Sequence, residues 1–278
     1  MKILVTLDRN YLLPLRVLLT SLLINNPGES FDVYVASNDL RSDDLLGIDH
    51  ILERAGSHVH LLPIDQSLFA EAPTLRYYSH AMYYRLLAAQ YLPKEMDRIL
   101  YLDPDMLVIN PLRPLYETDL GDHLYAACIH KGLVNISKPV NQVRLSTYET
   151  EGYYNSGMLL MNLPAIRESV HAEEIFAYVK KNRQLLVLPD QDILNALYGD
   201  RITPVDEILW NYHAGKYSEY LLSSAGEIDM NWIMHNTAIL HYCGKRKPWH
   251  VSTFGRFTAL YKHYMQISER WMYEKTSD

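Results

Sequence analysis

Short apolar runs alternate with helical periodicity in the first third of the chain. Lys2–Leu7 is aliphatic and β-branched and predicts a strand, and the polar Asp8-Arg9-Asn10 that follows predicts a loop. A helical pattern then runs from Tyr11 to Ile24. Strand, helix and strand signals repeat at 31–36, 42–54 and 59–64. This alternation predicts an α/β fold with a mainly parallel sheet.

The remaining apolar segments continue the same alternation. Residues 98–102 predict a strand that stops at Asp103-Pro104-Asp105, and the carboxyl ends of strands are where open α/β sheets bind ligands. Residues 210–236 show no regular pattern and are predicted to be irregular. Further strands are predicted at 124–129, 157–161 and 237–240, and helices at 81–91, 163–181, 189–197 and 253–273.

Composition and charge exclude several classes of protein. Hydrophobic residues make up 48% of the 278 residues and charged residues 21%, so the chain should fold throughout, as one domain. A net charge of -7 argues against a nucleic-acid partner, which needs a basic face. The sequence contains no run of about 20 apolar residues, so no transmembrane segment is predicted. We expect Cys128 and Cys243 to be reduced and the protein to be cytoplasmic.

Asp103-Pro104-Asp105 is the first candidate for chemistry. Carboxylates two residues apart on an extended chain point to one face, and a bend lets both converge on one cation. Proteins hold Mg2+ and Mn2+ in this way, with one or two carboxylates together with substrate phosphates. The alternative is that Asp-Pro-Asp is only a turn, since both residue types favour turns.

The second candidate is the basic stretch from His241 to His250, which follows the predicted strand at 237–240. Imidazole suits Mn2+ better than Mg2+, glycine lets the backbone approach a phosphate, and lysine places a point charge on it. A solvated turn with a structural histidine is the alternative. The combination of histidine, glycine, lysine and tryptophan in one short stretch favours a diphosphate site.

Five motifs, in this order along the chain, resemble the retaining glycosyltransferases of family 8. They are Asp8-Arg9-Asn10-Tyr11 after the first strand, RILYLDPD at 98–105, YNSG at 154–157, DQDILN at 190–195 and HYCG…KPWH at 241–250. Bacterial lipopolysaccharide α-galactosyltransferases, general-stress-type glycosyltransferases and glycogenins belong to this family. The resemblance runs from residue 1 to about residue 260.

The resemblance implies a fold and an activity. The fold would be a GT-A-type single domain over 1–278, with a Rossmann-like mixed, mainly parallel sheet flanked by helices. A nucleotide-binding half would occupy 1–110, a donor-sugar and acceptor half 111–250, and a C-terminal helix 251–278. The activity would be metal-dependent transfer of glucose or galactose from a UDP-sugar to a glycan, glycolipid or other hydroxyl acceptor, with retention at the anomeric carbon.

The ligand contacts of the family fall on residues of this chain in four groups. The metal contacts, to Mn2+ or Mg2+, fall on Asp103, Asp105 and His241. The uracil and ribose contacts fall on Thr6, Asp8 and Asn10. The diphosphate contacts fall on Gly244 and Lys247. The contacts around the hexose fall on Arg85, Asn155, Ser156, Asp190 and Gln191, and the last two are the candidate catalytic residues because they would lie beside the reacting face of the sugar.

Two positions and the C-terminus depart from the galactosyltransferase pattern. His130 and Met82 stand where a galactosyltransferase of the family has an acidic residue and a small hydroxyl residue, at the border of the acceptor pocket. Residues 273–278 lack the basic, aromatic character of a membrane-attachment tail. These differences argue against a lactose-like acceptor and against membrane docking through the tail.

Two alternative functions stay open at this point. One is a nucleotide-sugar binding protein that has lost catalysis, although the residues of the metal and donor sites are intact. The other is an Asp-x-Asp phosphohydrolase, in which the motif follows the first strand. Here the motif follows residue 102, which disfavours the phosphohydrolase.

Overall fold

The computed structural model describes residues 1–69, 72–73, 81–129 and 152–273. Strands in these ranges are β1 (Lys2–Thr6), β2 (Asp32–Ser37), β3 (His58–Pro63), β4 (Arg98–Leu102), β5 (Met106–Val108), β6 (Tyr125–Ile129), β7 (Tyr154–Asn162), β8 (Ile202–Val205), β9 (Tyr212–His213) and β10 (Ile239–His241). Helices are α1 (Leu12–Asn25), α2 (Leu46–Glu53), α3 (Ala81–Leu86), α4 (Ala88–Tyr91), α5 (Arg113–Tyr116), α6 (Leu163–Ser169), α7 (Ala172–Asn182), α8 (Pro189–Tyr198), α9 (Glu207–Trp210), α10 (Tyr217–Ser223), α11 (Met230–Asn236) and α12 (Thr258–Tyr273).

Seven strands form one mixed, mainly parallel sheet in the order β3-β2-β1-β4-β7-β6-β8. The pairings between these described strands are parallel, except for the two that β7 makes with β4 and β6. Helices such as α1 connect the parallel strands, because parallel neighbours need a long crossover connection. The structure therefore confirms the predicted α/β fold and the predicted mixed sheet flanked by helices.

Both faces of this sheet are covered by apolar side chains. Ile3 and Val5 of β1 pack on one face with Leu18 of α1, while Leu4 packs on the other face with Ile193 of α8. All of these side chains are fully buried. Near-continuous apolar strands of this kind are typical of sheets covered on both faces, which leaves the strand ends for ligands.

A second, three-stranded sheet in the order β5-β10-β9 joins distant segments of the chain. β10 pairs with β5 in the antiparallel direction, with His241 opposite Met106. Tyr242 continues this pairing, since its N–H donates to the carbonyl oxygen of Asp105 at 3.1 Å. The small sheet thereby brings the C-terminal motif to the end of β4.

Four predicted segments differ from the structure. The predicted helix at 81–91 is two helices, α3 and α4, with Leu87 between them. Residues 210–236, predicted to be irregular, contain β9, α10 and α11. The predicted helix at 163–181 is two helices, because the β-branched Val170 between them is extended, with φ -106° and ψ 113°. The last helix begins at Thr258 and not at Thr253, after a stretch that contains Gly255, a poor helix former.

The predicted C-terminal helix at 251–278 is helical from Thr258 to Tyr273, and residues 274–278 lie outside the described ranges. No helix among the described residues has the length and apolar character needed to cross a membrane. The single domain over 1–278 and its division at residues 110 and 250 stay predictions.

Candidate active site

The predicted site residues meet at one edge of the large sheet. β1 and β4 are parallel neighbours, so Asp8 and Asp103, which follow their carboxyl ends, lie toward the same edge. β7 runs antiparallel to β4, so Asn155 and Ser156 at its beginning reach that edge from the opposite direction. Open α/β sheets bind their ligands at this edge.

Three side chains at this edge form a candidate metal site. One ligand atom from each of Asp103, Asp105 and His241 lies within 4.8 Å of the other two. His241 Nε2 is 3.3 Å from Asp105 Oδ1 and 3.8 Å from Asp103 Oδ2. Two carboxylates and an imidazole fit a divalent cation of the Mn2+ type, which accepts both oxygen and nitrogen ligands. The structure thus brings the three predicted metal ligands together.

Burial and mutual charge set the ionisation of this cluster. Burial raises the pKa of Asp103, against the opposing charge of Arg85. Burial acts in the same direction on Asp105, but the adjacent His241 outweighs it and holds the pKa of Asp105 well below its usual range. Burial lowers the pKa of His241, yet Cys243 and Asp105 together hold it well above its usual value. A metal ion bound here would therefore replace a proton on His241.

Arg85 connects the metal cluster to the predicted hexose residues. Its Nη1 atom is 3.1 Å from Asp103 Oδ1 and 3.2 Å from Asp190 Oδ2. The same atom donates to the carbonyl oxygen of Ser156 at 3.1 Å, and Ser156 Oγ donates to Asp190 Oδ2 at 2.9 Å. The guanidinium also lies over the ring of Tyr101, with Cζ 4.7 Å from the ring centroid. One cation therefore holds two carboxylates that are far apart in the sequence.

Gln191 lies in a buried amide network beside these charges. Its Oε1 atom accepts a hydrogen bond from Asn155 Nδ2 at 3.2 Å. Gln191 is only 4% exposed, and its Nε2 atom has no hydrogen-bond partner among the described residues. Buried amide groups in proteins are almost always satisfied. This N–H group therefore lacks the partner that a buried amide group normally has among the described residues.

Asp190 and Asp192 both lie in the first turn of α8 but have different partners. Asp192 is fully buried and accepts from the N–H groups of Val187 and Leu188 at 2.6 and 3.1 Å, so it satisfies backbone donors at the start of the helix. Asp190 is directed instead at Arg85, on the side of the metal cluster. The geometry separates a structural aspartate from one that faces the site.

Asn211 is a site residue that no sequence motif revealed. Its Oδ1 atom is 2.8 Å from His241 Nδ1, and its Nδ2 atom donates to Asn155 Oδ1 at 2.7 Å. Because an acceptor at Nδ1 keeps the proton on that nitrogen, the Nε2 atom of a neutral His241 is left as the ligand atom. Asn211 therefore orients the imidazole and links it to the amide network. It lies in a stretch without regular hydrophobic periodicity, which is why the sequence did not mark it.

Gly157 leaves the space that the metal cluster occupies. A Cβ atom at this position would lie 2.6 Å from His241 Cε1, 2.8 Å from Asp103 Oδ2 and 2.9 Å from Asn155 Oδ1. Carbon atoms do not approach other heavy atoms so closely without displacing them. The YNSG motif contains this glycine, but only the contacts across the fold explain why a side chain is excluded there.

The loop after β10 contains the residues predicted to bind the diphosphate. Gly244 has a φ of +87°, in the left-handed region that favours glycine. Lys247 forms an ion pair with Asp105 and donates to the carbonyl oxygen of Tyr242 at 3.1 Å. Its charge therefore lies directly beside a predicted metal ligand.

The predicted uracil loop is exposed and makes local contacts. Asp8 begins a short 3-10 turn and accepts from the N–H of Asn10 at 2.8 Å. Thr6 is buried, and its hydroxyl is 3.2 Å from that of Tyr101, which in turn donates to Asp103 at 2.6 Å. Thr6 is thus connected to the metal cluster, whereas the nucleotide contacts of Asp8 and Asn10 stay predictions.

Two residues predicted to border the acceptor pocket cannot be placed. His130 lies outside the described residues, and so does the side chain of Met82, although its backbone belongs to α3. The C-terminal tail at 274–278 lies outside them as well. Their effects on the acceptor and on membrane docking stay predictions.

The chain is similar to one family of enzymes along nearly its whole length. A family model described as Glycosyl transferase family 8 matches residues 2–253. General stress protein A of Bacillus subtilis is 26% identical over 270 residues, covering 94% of this chain and 92% of that protein. Lipopolysaccharide 1,2-glucosyltransferase of Escherichia coli K12 is 27% identical over 247 residues, covering 87% of this chain and 71% of that enzyme.

A solved structure is similar to the whole fold. The galactosyltransferase LgtC, in complex with donor and acceptor sugar analogs, is 26% identical and has a TM-score of 0.80, with 96% of each chain covered. This likeness confirms the predicted GT-A fold.

Proposed function

The chain belongs to glycosyl transferase family 8, and on that premise we propose that it transfers glucose or galactose from a UDP-sugar to a carbohydrate or lipid-linked acceptor. The prediction of a retaining hexosyltransferase is confirmed, since the chain belongs to this family of retaining enzymes and its relatives include a glucosyltransferase and a galactosyltransferase. The same findings give no support to a binding protein without catalysis or to an Asp-x-Asp phosphohydrolase.

The observation that carries the proposed donor is the convergence of Asp103, Asp105 and His241 at the carboxyl edge of the sheet. A divalent ion held by these three residues would supply positive charge to the diphosphate of the donor. Mn2+ is favoured over Mg2+ because one of the ligands is an imidazole. Arg85 and Lys247 place two further cations against the same carboxylates.

The proposed transfer forms one bond and breaks one bond at the anomeric carbon. The oxygen of an acceptor hydroxyl bonds to that carbon while the bond to the β-phosphate oxygen breaks. UDP leaves with the electron pair, and the hydroxyl proton passes to solvent or to the departing phosphate. Attack on the face from which UDP leaves gives the retained configuration through an oxocarbenium-like state without a protein nucleophile.

Lys247 has the position to stabilise the charge that grows on UDP. Its ammonium group pairs with Asp105 in the structure, and a divalent ion on the same carboxylate would repel it toward the diphosphate. Two unit charges about 4 Å apart at an effective dielectric constant near 20 interact by about 4 kcal/mol. If this interaction is made mainly in the transition state, it lowers the barrier enough to raise the rate by about three powers of ten.

Gln191 and Asp190 have the positions to hold the hexose. The unpaired amide N–H of Gln191 can donate to a sugar or acceptor oxygen, and the carboxylate of Asp190 can accept from a sugar hydroxyl. Glucose and galactose differ at one hydroxyl, so a single such contact can distinguish them.

We also propose that the enzyme acts in the cytoplasm. Cys128 and Cys243, both among the described residues, are not joined by a disulfide, as is usual for proteins of a reducing compartment. Locating a tagged full-length chain by cell fractionation tests this part of the proposal.

The proposed function is tested by measuring UDP release from a panel of UDP-sugars. We expect release from UDP-glucose or UDP-galactose with Mn2+ and none in excess chelator. Tight binding of UDP with no turnover of any UDP-hexose would favour the binding protein, and phosphate release from p-nitrophenyl phosphate would favour the phosphohydrolase. With an acceptor present, NMR should show an α-linked product, and a β-linkage would overturn the retaining assignment.

A further inference from the structure

A cleft of about 390 Å³ borders the loop that follows β10. Its walls come from three segments, at 214–218, 242–248 and 253–258. Two of these walls are tied together by Tyr242, whose hydroxyl donates to the carbonyl oxygen of Phe257 at 2.9 Å. The residues that line the cleft are different from those that the proposed donor site uses.

The cleft and the proposed donor site share one loop. Gly244 belongs to the proposed diphosphate contacts, while Cys243 and Arg246 on either side of it line the cleft. Another wall residue, Ala214, donates its N–H to the carbonyl oxygen of His241 at 2.9 Å. A molecule in the cleft would therefore lie next to the proposed metal ligand His241 and the loop proposed to contact the diphosphate, which is where the acceptor of a glycosyltransferase must approach the donor.

The cleft is basic, although the protein as a whole is acidic. Arg246 and Arg256 line it, and its described lining residues include no aspartate or glutamate, whereas the net charge of the chain is -7. No carboxylate among the described residues forms an ion pair with either guanidinium. Unpaired arginines in a concave site favour an anionic ligand, because the guanidinium fork matches the oxygens of phosphate and carboxylate groups.

Aromatic rings accompany the two arginines. The guanidinium of Arg256 lies over the ring of Tyr217, with Cζ 4.3 Å from the ring centroid, and this stacking leaves its N–H edge for a ligand. Phe254 also lines the cleft and is 92% exposed. Aromatic faces combined with a few polar groups are typical of small-ligand sites, and the apolar faces of sugar rings pack on them.

We propose that this cleft binds the acceptor, and that the acceptor is a carbohydrate bearing a phosphate or carboxylate group, which Arg246 and Arg256 hold. This inference rests on the proposed function, since it names the acceptor class of the same transferase. An anionic membrane surface would also attract arginine and phenylalanine. A cleft with hydrogen-bonded walls fits a discrete ligand better than a flat lipid surface.

Cys243 provides a measure of cleft occupancy that needs no turnover. It is partly exposed in the cleft, whereas Cys128 is buried, so neutral iodoacetamide should label Cys243 first. The ligands are glucose and its anionic counterparts glucose 6-phosphate and glucuronic acid, tested on the full chain in chelator without donor. We expect the anionic ligands to protect Cys243 at concentrations at least tenfold below that of glucose, and the two anions to show whether phosphate or carboxylate is preferred.

Two variants test whether the preference for anionic ligands depends on Arg246 and Arg256. The double substitution R246Q/R256Q should bring the anionic and neutral ligands to equal protection. K245Q removes a charge from the same loop at a residue that does not line the cleft, so it should keep the tenfold difference. Thermal unfolding of both variants verifies that each is folded.

Two outcomes would overturn the proposal, namely equal protection by glucose and its anionic counterparts in the unsubstituted chain, and a preference that survives R246Q/R256Q. If the preference survives and R246Q/R256Q also loses binding to vesicles containing anionic lipid, the arginines belong to a membrane surface. Because labelling requires neither donor nor transfer, a failure to release UDP in the turnover assay is seen separately from a failure of the acceptor cleft.

Discussion

At the uridine end of the proposed donor site, Asp8 and Asn10 are exposed and form a hydrogen bond with each other. At the metal end, Asp105 and His241 are buried and form an ion pair, although they are far apart in the sequence. The polar groups of the first loop can be satisfied by water. Those of the metal end depend on partners such as Asn211, which itself is 2% exposed. The metal end is therefore organised by the fold, and the uridine end by its local turn.

This difference predicts how each end responds to substitution. A charge contact at the metal end contributes about 4 kcal/mol at an effective dielectric constant near 20, whereas an ordinary hydrogen bond contributes about 0.5–1.5 kcal/mol. Changes at the metal end should therefore reduce function severely. Changes in the exposed loop should reduce nucleotide affinity only slightly.

The largest effect is expected from the metal ligands. Asp105→Asn, Asp103→Asn or His241→Ala should each lower Mn2+-dependent kcat/KM by about three powers of ten, because the charge that opposes the leaving group is lost. Circular dichroism should show a folded chain for each variant. Near wild-type turnover of Asp105→Asn in excess chelator would refute the metal assignment.

Gly157→Ala should weaken Mn2+ binding by about 100-fold. The added methyl group would meet His241 and Asp103 within 3 Å, and overpacking typically costs about 1–3 kcal/mol. The matched control is Gly47→Ala, where the nearest atom is the flexible terminal methyl of Met272 at 3.0 Å, away from the site. Calorimetry with Mn2+ measures both, and equal affinities in the two variants would contradict the steric argument.

Asn211→Leu should lower Mn2+ affinity by about 10- to 100-fold, because His241 loses the acceptor that orients it. Asn211→Asp keeps an acceptor for His241 Nδ1 and should recover most of the affinity. A purely structural role would instead make the two variants alike in Mn2+ affinity and different only in thermal stability.

At the hexose side, Gln191→Ala and Asp190→Asn should lower kcat by about tenfold or more with little change in UDP affinity, because their contacts would be made to the sugar. Asp192→Asn is the contrasting variant. Its carboxylate binds backbone N–H groups, so it should lower the melting temperature. If Gln191→Ala and Asp190→Asn were both silent in turnover, neither residue would belong to the mechanism.

The smallest effect is expected in the exposed loop. Asp8→Ala should weaken UDP binding by about three- to tenfold, the value of one hydrogen bond to the uracil N–H. The unsubstituted chain should bind UDP more tightly than GDP, because a purine is larger than uracil. Equal calorimetric affinities for UDP and GDP would contradict the predicted role of this loop.

Prediction from the sequence succeeded where the information is local. The strand at 98–102 and the strand that begins the chain were recognised from short apolar runs, and Asp103 and Asp105 from their position directly after one of them. The order of the motifs was sufficient to identify the family. Where polar and apolar residues alternate irregularly, as at 210–236, the same reading missed β9, α10 and α11.

The sequence by itself determined the α/β alternation, the carboxylates at the end of β4 and the basic stretch that begins at His241, because strand ends and motifs depend on neighbouring residues. Only the tertiary structure decided that β10 pairs with β5 and so places His241 beside Asp105. It also decided that Asn211 orients the imidazole and that Gly157 has no room for a side chain. Contacts of this kind depend on the register between strands that are distant in the sequence. The hydrophobic periodicity within one segment does not identify the segment with which it pairs.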